Sequence, residues 1–385
     1  MKIRETRRTL LSARAFNRRL LLRGAAASAS LSAFAPMILT AGCSKGPGEI
    51  NLLMWSDEWP DPVLPNFTVK TGITVNKTLF SQNEEQIAKL KAGEVVYDLC
   101  QPTRDRAPQF KDLGVLAAWD QKKVPTGALL PYMLDSSVSV WTWDGGLYHL
   151  PHVWGTEAMA WRTDKWQRDG KDLSFGDLWG EDVKGHIQGR PHSTILGIGL
   201  WMDATGKLPS NRMMDTFADP DAMKRVWTEL TKFAVEHRSW VKQFWDSADD
   251  TKNGFLQNDV WLGQTWDGPA LSLKKSGQPV TYMAPKEGAI AWLDGLALVK
   301  GAKNLDQVYA LLDYIYTPEV AAQIAEGSGY NAVIKDADQH LSDKAKQAFA
   351  EAYPNGAVEN LWWRPPEPSW YADLRNGFAD QFKSA

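Results

Sequence analysis

Within residues 50–100, three segments restrict the fold more than anything else in the chain: INLLMW at 50–55, NEEQIAKLKA at 83–92 and VVYDLC at 95–100. The first and third are short apolar runs of the kind that form buried strands. The middle one has helical spacing, with an acidic start and a basic end that suit the helix macrodipole. Strand, helix, strand in that order is the signature of a parallel α/β sheet, in which ligands collect at the C-terminal ends of the strands. SDEWPDP, directly after the first run, reads as such a loop.

The alternation resumes downstream. GHIQG at 185–189 is an expected strand, RPHSTILGIGLW at 190–201 and residues 221–237 are expected helices, and DVWLGQTWDG at 259–268 reads as a strand running into a loop. Residues 304–326 predict two helices separated at Pro318, since proline is tolerated in a first turn. From residue 360 the chain is proline-rich and then predicts an amphipathic terminal helix. No internal repeat interrupts this pattern, and 385 residues suffice for two domains. A hydrophobic content of 44% and a charged content of 23% fit a globular protein.

Residues 1–42 read as an export signal rather than structure. NRRLLLR at 17–23 carries a twin-arginine pattern at Arg18 and Arg19, and residues 24–42 continue without a charge. That stretch is only weakly apolar and contains Pro36, which favours cleavage over a permanent anchor. LTAGC, ending at Cys43, fits lipidation and cleavage before the cysteine except at Thr40, where such sites carry an aliphatic residue; ordinary cleavage stays open. The signal holds eight Lys or Arg against one Glu, so a formal total of −3 leaves about −10 on the remainder. Such an acidic exported chain is a poor partner for nucleic acid and a reasonable host for cations. Cys100 then has no partner, and no internal disulfide is expected.

Catalytic signatures are missing. There is no G-x-S-x-G, P-loop, H-E-x-x-H or dinucleotide fingerprint. His149 and His152 are separated by Pro151, and an extended backbone points them to opposite faces, so no metal site is expected there. No two tyrosines are adjacent, as a phenolate iron site would favour. A hydrolase using paired carboxylates stays open.

PKEGAIAWLDGLAL at 285–298 supports two readings. As a strand, it places Trp292 and Asp294 on one face, an aromatic plate beside a carboxylate that suits an organic cation. As a hairpin, Asp294-Gly295 shapes a type I′ turn. The 19 tryptophans divide in the same way between core packing and ligand stacking.

Taken in order, MWSDEWP, SQNEEQIAKLKAGEVVYDLCQPT, LPHVWGTEA, TWDG, PKEGAIAWLDGLAL and GSGYNAV resemble the spermidine/putrescine-binding family of extracytoplasmic solute-binding proteins of ABC importers. The resemblance implies a two-lobed α/β periplasmic-binding-protein fold of type II, each lobe a mixed sheet flanked by helices, with a ligand cleft between them. It places lobe 1 at 49–156 plus 293–338 and lobe 2 at 157–292 plus 339–385. The ligand-binding set it implies is Trp55, Ser56, Asp57, Thr103, Trp266, Asp267, Trp292, Asp294 and Tyr330, which tips Asp294 towards the cation reading. It also implies a monomer that is not an enzyme, needs no cofactor, and hands its ligand to the transmembrane subunits of a permease.

One departure stands out. Where polyamine binders usually carry acid on the second lobe, this chain has Arg190 and His192, and Pro191 opens a segment whose free N–H groups, with Ser193 and Thr194, favour an anion. Either Arg190 lies outside the cleft and Ser193 merely caps a helix, or the ligand is zwitterionic, an ω-amino acid, opine-like compound or aminophosphonate. The polyamine is the leading expectation.

Overall fold

The computed structural model describes residues 48–385; the expected export signal and Cys43 lie outside the described residues. The strands that organise the molecule are β1 (Glu49–Trp55), β2 (Thr74–Phe80), β3 (Leu99–Cys100), β4 (Leu150–Arg162), β5 (Ile187–Gly189), β6 (Val241–Phe244), β7 (Leu262–Trp266) and β8 (Ile290–Val299). They pair in the order β2-β1-β3-β8-β4-β7-β5-β6. β1 is parallel to both β2 and β3, and β5 is parallel to both β6 and β7. Between these parallel groups, β8 and β4 are antiparallel to their neighbours and to each other.

These two long strands pass from one parallel group to the other. Every residue of β8, and all of β4 except Arg162, is buried. That explains why their sequences read as nearly continuous apolar runs rather than alternating ones: helices or loops cover both faces.

The helices expected over 83–92, 190–201, 221–237 and 304–326 form close to those bounds, and others that the sequence had not singled out join them. α1 (Val63–Thr71) ends at Gly72 with φ 74°, a left-handed stop that suits glycine. In α2 (Asn83–Ala92), Glu84 and Glu85 occupy the first turn and Lys89 and Lys91 the last. α3 (Pro191–Ala204) begins with proline at its first position and Arg190 as its N-cap, and α4 is Pro220–Glu236. Two sequence expectations change. VVYDLC contributes only Leu99–Cys100 as strand, and DVWLGQTWDG does not run into a loop, because α5 (Asp267–Lys275) starts directly after β7.

The core is divided. One cluster gathers Ile50, Leu53, Phe67, Leu99, Trp141 and Leu150 with Leu296, Leu311 and Ile324. Another gathers Trp161, Phe175, Ile195, Trp227 and Leu262 with Ile290, Tyr371 and Phe382. Their members separate along β4 between Trp154 and Met159, and along β8 between Ile290 and Trp292.

Candidate ligand-binding cleft

The parallel strands direct their C-terminal ends at one cleft of about 490 Å³, its open mouth included. Asp57 and Glu58 follow β1, Thr103, Asp105 and Arg106 follow β3, Arg190 and His192 follow β5, and Trp55 and Trp266 end β1 and β7. Glu157 on β4 and Trp292 and Asp294 on β8 complete its floor, with Asn83, Tyr330 and Arg364 at its sides. This is the strand-end position at which α/β sheets bind ligands.

Asp294 sits within a strand and not in a hairpin. Opposite β4 it pairs with Val153, and the register shifts between Asp294 and Gly295, where the Gly295 N–H bonds the Pro102 carbonyl at 3.2 Å. Two residues earlier, Trp292 faces Gly155, where a Cβ would lie 2.3 Å from the indole. Glycine is therefore required for Trp292 to lie flat across the strand pair.

The pole formed by Asp57, Glu58 and Asp294 is acidic. Gln101 holds this loop: its Oε1 accepts from the Trp55 N–H at 3.0 Å and from Trp59 Nε1 at 2.8 Å, while its Nε2 donates to Glu58 at 3.0 Å. The Tyr330 hydroxyl donates to Asp57, and Asn83 donates to the Thr103 hydroxyl at 2.9 Å. No Lys or Arg forms an ion pair with Asp57, Glu58 or Asp294 among the described residues. Burial pushes the Asp294 carboxyl up to about 7, against the hydrogen bonds of Glu58 and Thr103. Burial, and then the charge of Asp294, push Glu58 well above the usual carboxylate range. Burial and mutual repulsion both act against two negative charges on this pair. Trp55, Trp266 and Trp292 wall the pole, with Tyr330 edge-on to Trp292 at 4.9 Å.

Across the cleft the charges are mixed. Arg106 pairs with Glu84, Asp105 and Glu367 at 3.3, 3.4 and 3.1 Å. Arg364 lies 3.5 Å from Glu157 and donates to the Ser193 hydroxyl at 2.9 Å. Burial and the surrounding guanidinium groups hold the His192 pKa well below its ordinary value, so that ring is neutral.

Of the ligand-binding residues expected from sequence, the structure brings Trp55, Asp57, Thr103, Arg190, Trp266, Trp292, Asp294 and Tyr330 together. It leaves two out. Ser56 is exposed beyond the end of β1, its N–H bonded to the Phe80 carbonyl at 3.2 Å. Asp267 turns beneath the floor and accepts from Tyr353 at 2.9 Å and Asn331 at 3.1 Å; its pKa is pushed by burial to about 7. Arg190 lies inside the cleft, and Ser193 does not act as the helix cap. Sequence reasoning missed Glu58, Asn83, Asp105, Arg106, Glu157 and Arg364. Glu58, next to Asp57 in the first strand-end loop, had a local signal; Arg364 had none, since only the fold brings it there.

The two histidines of H-x-x-H have different partners. His149 is 3.1 Å from the Pro102 carbonyl, while His152 stacks on Trp59 at 4.4 Å. Cys100 is buried and free.

The bacterial extracellular solute-binding protein family matches residues 64–354. The chain belongs to that family. Its members are binding components of transporters rather than enzymes, and the divided α/β architecture with its cleft is their fold. The spermidine/putrescine-binding periplasmic protein of Escherichia coli (strain K12) is 29% identical over 314 residues, 80% of this chain and 85% of that one. The putrescine-binding periplasmic protein PotF of the same organism is 26% identical over 310 residues, 77% of this chain and 81% of its own. Among solved structures, the spermidine/putrescine ABC transporter substrate-binding protein PotD from Streptococcus pneumoniae is 26% identical. It has a TM-score of 0.68, with 88% of this chain and 99% of that one covered.

Proposed function

We propose that this chain is the extracytoplasmic receptor of an ABC importer, capturing an organic amine of the polyamine class in the cleft and delivering it to the permease. The observation that carries the reading is the acidic pole: three buried or half-buried carboxylates converge beside aromatic plates, and among the described residues none of them forms an ion pair with Lys or Arg. An ammonium completes that arrangement through charge-assisted hydrogen bonds, and indole faces cover the adjoining methylenes. The names of the E. coli relatives supply the polyamine class. The contact residues in this reading are Trp55, Asp57, Glu58, Thr103, Trp266, Trp292, Asp294 and Tyr330.

Residues 49–156 plus 293–338 and residues 157–292 plus 339–385 act as the two lobes, closing about β4 and β8. Most of the first core cluster falls in lobe 1 and all of the second in lobe 2, with Trp245, Trp266 and Trp292 of lobe 2 joining the first across the cleft. The receptor works as a monomer in the periplasm, reaches it through the twin-arginine pattern at Arg18 and Arg19, and is attached to the membrane, if lipidated, at Cys43. Among the described residues no helix is long and apolar enough to cross a membrane. Replacing both arginines by Lys is expected to hold precursor in the cytoplasm, and the mass of the mature N-terminus reads the fate of Cys43.

Calorimetric titration of the purified protein with 1,4-diaminobutane, spermidine and ω-amino acids tests the binding reading. One amine bound per chain, with no product formed, is the expected result. Turnover of a glycoside or ester without amine binding would replace the reading with a hydrolase.

A further inference from the structure

Arg190 is the unusual group of the cleft. Its guanidinium lies over Trp245 at 5.7 Å and over Trp266 at 5.3 Å, and among the described residues it has neither a hydrogen-bond acceptor nor a carboxylate within ion-pair reach. The neighbouring guanidiniums differ. Arg106 and Arg375 are tied to Glu84 and Glu367, and Arg364 to Glu157, Glu367 and Ser193. By formal charge these four arginines are balanced by Glu84, Asp105, Glu157 and Glu367, but the hydrogen-bonding capacity is unevenly used. Among the described residues no side chain or carbonyl accepts from the five N–H donors of Arg190, and Arg106 Nε and Nη1 are buried without hydrogen-bond acceptors as well.

Other donors there share the same want. The indole N–H groups of Trp55 and Trp292, both in cleft residues more than nine-tenths buried, have no acceptor among the described residues. At the start of α3 the His192 and Ser193 N–H groups have no acceptor within the helix. A protonated diamine brings only donors. It can satisfy the acidic pole, but its second ammonium would meet Arg190 or compete for Glu157, already engaged by Arg364 and by Gln264 Nε2 at 3.0 Å. A carboxylate brings acceptors and matches the planar guanidinium fork.

We infer that the cleft is bipolar: Asp294 and its neighbours hold an ammonium, Arg190 holds an oxyanion at the other end of the same ligand, and amines ending in a carboxylate bind more tightly than the matching diamines. The inference rests on the capture of an amine in this cleft and goes beyond the polyamine class by moving the preferred ligand to amines that also carry an anionic end. Arg364, held by Glu157 and Ser193, positions the anionic end.

The test is calorimetric titration of the purified protein with two series matched by carbon number, the α,ω-diamines and the ω-amino acids, at one pH and ionic strength. In at least one matched pair the amino acid is expected to bind about thirtyfold more tightly or better, the lower range for a buried charge pair. Arg190→Gln should erase that preference, reducing amino-acid affinity about thirtyfold while leaving the diamine unchanged or improved; Arg190→Lys, which keeps charge but loses the fork, should fall between. Diamines binding more tightly in every pair, or unchanged amino-acid affinity in a folded Arg190→Gln protein, overturns the bipolar cleft and leaves amine capture standing. Failure of both series to bind the wild-type protein overturns amine capture, and the inference with it.

Discussion

In the proposed site, a proton and an ammonium compete for the Asp294 carboxyl. Folding raises its pKa from 3.8 to about 7, chiefly through burial, with Glu58, Asp57, Asp105 and Thr103 facing it. A carboxyl with a raised folded-state pKa stabilises the protein fully below its unfolded value, and that stabilisation is lost as pH rises through the folded value. For the ligand-free protein this contribution therefore falls between about pH 4 and pH 7. A bound ammonium requires the ionised form, so affinity should weaken as pH falls below 7. Thermal unfolding from pH 5 to pH 8, with and without a bound amine, should show a ligand-induced rise in Tm that grows with pH; a rise independent of pH would contradict an ammonium bound at the raised Asp294 carboxyl. Period-two alternation in WLD allowed Asp294 and Trp292 to share one face, but it left the turn open, and only the family resemblance turned the expectation towards the cleft. Ser56 and Asp267 share sequence neighbourhoods with true cleft residues, but the end of β1 turns one outward and the first turn of α5 sends the other below the floor.

β4 and β8 make the cleft possible at the scale of elements. Their pairing lays Trp292 across Gly155, whose missing side chain leaves room that Ala would fill: its Cβ would lie 2.3 Å from the indole and 2.7 Å from Asp267 Oδ1. Gly155→Ala should cost about 1–3 kcal/mol of stability through overpacking, and should weaken amine binding as Trp292 is displaced. Chemical denaturation and the same titration check both effects; unchanged stability and affinity would show that the indole can move without cost. α1 was not singled out, whereas the helices that begin at Pro191, Pro220 and Pro318 were legible from spacing and punctuation. The start of α5 was less so, because TWDG carries the composition of a turn, and only its packing against β7 and β4 commits Asp267-Gly268 to a helix. Likewise VVYDLC is apolar enough for a longer strand, yet Val95 and Val96 are exposed and only the last two residues pair.

Across the whole molecule, the ligand's surroundings are assembled from distant chain segments. Asp57 and Tyr330 meet by one hydrogen bond although 273 residues separate them, and Arg364 reaches Ser193 across 171. The order of strands and helices could be read locally, but the balance of charge around the cleft could not, because Glu157 and Arg364 enter it through tertiary packing alone. The acidic pole nevertheless gives the account one decisive residue. Titration of wild-type protein and Asp294→Asn with the tightest-binding amine, at a pH where wild-type binding is strongest, measures its contribution directly. The account predicts saturable one-to-one binding by wild type and a loss of about 2–5 kcal/mol of binding in the variant, with folding retained. Equal affinity in the two folded proteins would contradict it.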